Sequence, residues 1–174
     1  MRRSLTLWRC ESGAAAAELA LCLPMVMVLM FGGFEAGNYM LAEHKVIKGV
    51  RDGARYAARL PYEYYTGCGP DLTVPASGTG LPSIADVKED IANVTLSGKP
   101  GGGVARIYGW DAADVSVSVS CHAATTTGIY EDLGTAPRVL VSSKVAYPSL
   151  FGALGFDTEG AIVRAQAQAA VMGL

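Results

Sequence analysis

At 174 residues, 51% hydrophobic and with a net charge of −2, the chain has room for one domain with its own core plus a membrane segment. The net value conceals an uneven distribution: residues 43–59 hold five bases against two acids, a net of +3, while residues 60–174 hold six against eleven, a net of −5. This argues against nucleic acid, which needs a basic stripe with aromatics on the folded domain, and suggests that the two parts attract each other, within a chain or between chains.

The chain opens with Arg2, Arg3 and Arg9 against one acid, Glu11, and then reads Gly13-Ala14-Ala15-Ala16-Ala17-Glu18. Ala14 to Phe34 is 21 residues, about 31 Å of helix at ~1.5 Å per residue, enough to cross a bilayer. The basic leader puts the N-terminus in the cytoplasm and the remainder outside. A cleaved secretory signal would need a small-x-small site after the apolar run. Phe31-Gly32-Gly33-Phe34-Glu35-Ala36-Gly37 offers no clean match, so the segment is expected to be retained. A carboxylate in such a segment costs roughly 2.5–3.5 kcal/mol on insertion scales for comparable residues, which makes Glu18 a functional candidate. Its cheaper reading is an acid solvated by headgroups at the membrane edge. Cutting between Gly13 and Ala14 would instead free an α-amine, one turn from Glu18 in its own helix and available to the Glu18 of a neighbour.

At the outer end of the run, Glu35 is an interfacial residue that snorkels to water or a packing contact. Gly33-x-x-x-Gly37 permits close helix approach, though the motif is frequent by chance. Beyond it, Met40, Ile47, Val50, Ala54 and Ala57 form an apolar stripe at three-four spacing, with Lys48, Asp52, Arg55 and Arg59 on the other side. One long helix is expected, loosened at Pro24 and ended by Pro61.

Residues 61–82 read as loop. Ser83, with Asp86 three residues on, caps a short helix whose apolar side is Ile84, Val87, Ile91 and Val94. Ser97 to Gly103 is a turn or loop. Val115, Val117, Val119 and Cys121 alternate with serines and give the clearest strand. A second strand is expected over about 138–146 and a third over about 161–171, with Val163, Ala165, Ala167, Ala169 and Val171 on one face. Three strands in series make an antiparallel meander, with the stem's apolar stripe as its cover.

Cys10 and Cys22 fall in the leader and the membrane run, leaving Cys68 and Cys121 in the head. A disulfide there would close a loop of about fifty residues and contribute about 2–4 kcal/mol; the alternative is two separate small hydrophobes. His44 and His122 are the only histidines, and Cys68, Cys121 and His122 lack a fourth ligand for tetrahedral zinc. No catalytic motif is present, and neither an enzyme activity nor a cofactor or metal is expected.

The Gly13–Glu18 segment, the basic leader, the apolar run, Phe31 to Gly37, and Gly53-Ala54-Arg55-Tyr56-Ala57-Ala58 together resemble TadE-like pseudopilins. The resemblance covers about residues 9–60. It implies a prepilin peptidase that cuts after Gly13, with the acid fifth in the mature chain. It further implies a minor component of the Tad (Flp, type IVc) pilus machine for tight adherence, since the 161 residues after Gly13 are long beside a short major pilin. The expected fold is α+β and type IV pilin-like, a long N-terminal transmembrane and stem helix on a small antiparallel sheet. The parts are a leader (1–13), a transmembrane helix (14–36), an amphipathic stem (37–60) and an extracytoplasmic head (61–174). Implied partners are the peptidase, other pilins or pseudopilins, the assembly platform and the membrane. The implied location is a bacterial inner membrane, single-pass with the head outside, and thence a pilus. The competing reading is an uncleaved, membrane-anchored binding or scaffold module.

Overall fold

A computed structural model describes residues 12–123, 128–152 and 160–173. The leader residues Arg2, Arg3, Arg9, Cys10 and Glu11 lie outside them. The chain falls into two units, one ending at Asn38 and the other Tyr39–Leu174. The elements in order are helix α1 (Ser12–Ala57), helix α2 (Ile84–Ser97) and strands β1 (Val115–Ala123), β2 (Thr135–Ala146) and β3 (Ile162–Ala170). The long helix packs on a three-stranded antiparallel sheet of order β1-β2-β3, an α+β fold as the sequence suggested.

α1 contains Pro24 and ends at Ala57, earlier than Pro61 alone would dictate. Tighter turn bonds, Arg59 N–H to Tyr56 O and Leu60 N–H to Ala57 O, both 3.1 Å, then carry the chain to the proline. The buried stripe differs from the expected one. Ala42, Val46, Val50, Ala54, Ala57 and Ala58 are buried with Gly49 and Gly53, while Met40 is 62% exposed and Ile47 only half-buried. The cause is a close helix crossing that a hydrophobicity pattern does not register. A Cβ on Gly49 would lie 2.6 Å from Trp110 Cη2 and would meet the Thr95 carbonyl; one on Gly53 would collide with Thr95 Oγ1. The two glycines let α2 and Trp110 approach the stem backbone.

α2 starts where the sequence places it. Ser83 Oγ accepts from Asp86 N–H while Asp86 accepts from Ser83 N–H, a reciprocal cap that satisfies two otherwise orphaned donors. Its side Val87, Ile91 and Val94 is buried, with Ile84 half-buried at the edge.

In the sheet, Val117–Val141–Ala167 and Val119–Val139–Ala169 form inward cross-strand rows. Small alanines on β3 leave room for the helix layer. Ser143, between Val115 and Ala165, interrupts the apolar face, and its buried hydroxyl accepts from Trp110 Nε1 at 2.8 Å. On the outward face the hydroxyls of Ser116 and Ser142 bond at 2.8 Å, and Lys144 stands opposite Arg164. Val171 lies just past β3 and is fully buried, its N–H bonded to Pro137 O, and Met172 N–H reaches Ala58 O at 2.7 Å. The end of the sheet is thereby tied to the end of α1.

Cys68 and Cys121 are joined by a disulfide, with Cα atoms 5.5 Å apart across 53 positions. It links the loop after the stem to β1 and stabilises by about 2–4 kcal/mol in the chain-entropy model. Tyrosines fasten the same loop: Tyr64 donates to Pro82 O at 2.7 Å and the buried Tyr65 donates to Ala57 O. Burial is the main cause that raises the pKa of Tyr56, Tyr64, Tyr65 and Tyr130 above the ordinary 10.0. With folded values above the unfolded one, the folded chain keeps protons that the unfolded chain releases. This stabilisation is complete below pH 10.0 and is lost as pH rises through the folded values. Stability measured by denaturant titration is therefore expected to fall above pH 10, and to fall less steeply in Tyr56→Phe.

Candidate processing and assembly segment

From Gly13 to Phe34 every residue is exposed. A helix apolar all round, with no cover from the described residues, calls for lipid or other helices as solvent. Among the described residues this is the one helix long and apolar enough to cross a membrane. The Gly13–Ala14 bond lies in its first turn, where four backbone N–H groups have no intrahelical acceptor and the helix opens most easily. A Cβ on Gly13 would meet nothing. Among the described residues, no packing calls for glycine there.

Glu18 stands four residues after Ala14 on the same helix face, exposed. The ion pairs among the described residues are Lys88–Asp71 at 2.6 Å and Arg106–Asp52 at 2.8 Å, and Glu18 belongs to neither. Gly32, Gly33 and Gly37 likewise have open space where a Cβ would be. Each glycine in a helix interior costs roughly 0.5–1 kcal/mol relative to alanine. Among the described residues, none fills the space beside these glycines. Glu35 lies at the same end of the run, half-buried.

Within one chain, the described ion pair between stem and head has the reverse polarity of a basic stem drawn to an acidic head. The stem supplies the acid. Asp52 accepts from Arg106 Nη2, and Arg106 Nη1 also donates to Thr95 O at 3.3 Å, joining the stem, α2 and the following loop. Sequence reading did not single out Arg106, because its partner lies 54 positions away. The stem bases Lys45, Lys48, Arg51, Arg55 and Arg59 are all exposed, and so are His44 and His122. A depression of about 440 Å³ on the outer sheet face gathers Ser116, Ser142, Lys144, Arg164 and Gln166 with Asp114. Among the described residues, no group of three or more His, Cys, Asp or Glu is placed to hold a metal ion.

Residues 13–55 match the family model described as TadE-like protein. No curated protein and no solved structure matches the chain significantly.

Proposed function

We propose, with the TadE-like domain at residues 13–55 as premise, that the protein is a minor pseudopilin of a Tad/Flp-type pilus system. A prepilin peptidase cuts it between Gly13 and Ala14. The mature chain sits in the bacterial inner membrane with its head outside, and joins other pilins or pseudopilins on the assembly platform through α1. Its role is structural, in pilus biogenesis and tight adherence, and not enzymatic.

The observation that carries this reading is an exposed acid on an apolar helix that no described residue covers, one turn after Ala14 and behind a Gly13 with open space at its Cβ position. Before cleavage, the nitrogen of Ala14 is a neutral amide and Glu18 has no cation close by in sequence. Cleavage makes that nitrogen an α-amine of ordinary pKa about 7.7–8.0, mostly protonated at neutral pH. A unit pair at 4 Å in a medium of effective dielectric ~20 attracts by about 4 kcal/mol. That is of the order of the ~2.5–3.5 kcal/mol cost of placing the acid in the membrane. Processing thus turns a costly acid into a register mark, since a neighbour's amine satisfies it only at one axial offset.

Co-expression with a prepilin peptidase tests the processing step. The parent chain is expected to shorten, and Gly13→Leu is expected to persist as precursor. A parent chain that stays full length would favour the uncleaved anchored module.

A further inference from the structure

The five bases of the stem form one ridge. At 100° per residue, Lys45, Lys48, Arg51, Arg55 and Arg59 fall within about 120° of helix circumference, on the side away from the buried Val46, Val50 and Ala57. None of them takes part in an ion pair among the described residues. Along α2, Asp86, Glu89 and Asp90 follow an i, i+3, i+4 pattern on the side away from the buried Val87, Ile91 and Val94. Within the chain the bonds of these acids run to uncharged groups: Asp86 to Ser83, and Asp90 to the Tyr56 hydroxyl at 3.4 Å.

We infer that the basic ridge of α1 docks against the acidic outer face of α2 in a second copy of this chain. Three observations favour that occupant. The intrachain stem-to-head pair takes up Asp52, the acid that lies within the ridge's arc, and leaves the five bases and the acids of α2 out of it, so the complementary charges remain for a partner. α2 crosses α1 at the level of Gly49 and Gly53, inside the span of the ridge, through Ile91 and Thr95. Two copies inserted to the same depth therefore present ridge and acidic face at one level, with no axial shift. Finally, Lys45 stands eleven residues past Phe34, so the ridge is not the juxtamembrane basic cluster that reads anionic headgroups. The same-depth premise rests on the pilin-like reading; the charge match does not.

Site-specific cross-linking tests the contact. Unlabelled and ¹⁵N-labelled full-length chains, both uncut and cut after Gly13, are co-reconstituted in neutral vesicles. They are then treated with a carbodiimide, which joins an amine to a carboxylate in contact. Mixed-label peptides joining Lys45 or Lys48 to Glu89 or Asp90 are expected. In Arg51→Glu/Arg55→Glu/Arg59→Glu, which keeps both reporter lysines, their yield is expected to fall about tenfold or more. In the Arg→Lys counterpart it is expected to hold, which separates lost charge from lost folding. Same-label links alone, or no links in the parent, would overturn the contact. So would links that vanish once phosphatidylglycerol is added, which would assign the ridge to headgroups. Links that form while the native chain keeps its leader would defeat the pilin reading and leave the contact standing.

Discussion

Trp110→Ala is expected to destabilise the head by about 3–5 kcal/mol, the range for removing a fully buried aromatic. Three features place the residue at the upper end. Trp110 is 2% exposed, its ring lies against the backbone at Gly49, and its Nε1 is the partner of the buried Ser143 hydroxyl. Removal opens a cavity between stem and sheet and also leaves a polar group without its bond. Trp110→Phe separates the two effects, because it keeps most of the packing and strands Ser143 at about 1–3 kcal/mol. The check is the midpoint of near-ultraviolet circular dichroism on urea titration of the full chain in detergent. An alanine variant within about 1 kcal/mol of the parent would mean that the seam is not the centre of the core.

Glu18→Ala is expected to leave processing intact and to abolish assembly. The acid lies past the cut bond, so the peptidase still has its glycine, but the released amine of a neighbouring chain loses its counter-charge in the apolar layer. A loss of 1.4 kcal/mol per contact is tenfold in affinity, and in the proposed reading pilus biogenesis depends on this contact. Piliation is therefore expected to fall at least tenfold, Glu18→Gln to behave like alanine, and Glu18→Asp to recover in part. Surface-pilus quantification beside immunoblots of precursor and mature chain reads both steps. Normal piliation by a correctly cut Glu18→Ala protein would remove the pairing mechanism.

The sequence disclosed those parts of the fold that obey a local period. Alternation in Val115–Cys121 and in Val163–Val171 marks β1 and β3, and the Ser83/Asp86 cap marks the start of α2, because each depends on residues a few positions apart. The stem stripe was legible only in part. Gly49 and Gly53 carry no hydrophobicity, yet they mark the line of closest approach, and α2 draws the buried arc toward them and away from Met40. Trp110–Ser143 and Arg106–Asp52 join positions 33 and 54 apart, a separation that no local pattern encodes. The N-terminal segment is the reverse case. Gly13, Ala14 and Glu18 stand out in the sequence alone, and the fold adds that none of the described residues covers them.

The most direct measurement is the N-terminal peptide mass of the protein from native membranes, taken on the fraction that co-sediments with assembled pili. A chain that begins at Ala14 is the expected result. One that begins at Met1 in that fraction would contradict it, because Glu18 would then have no amine to meet.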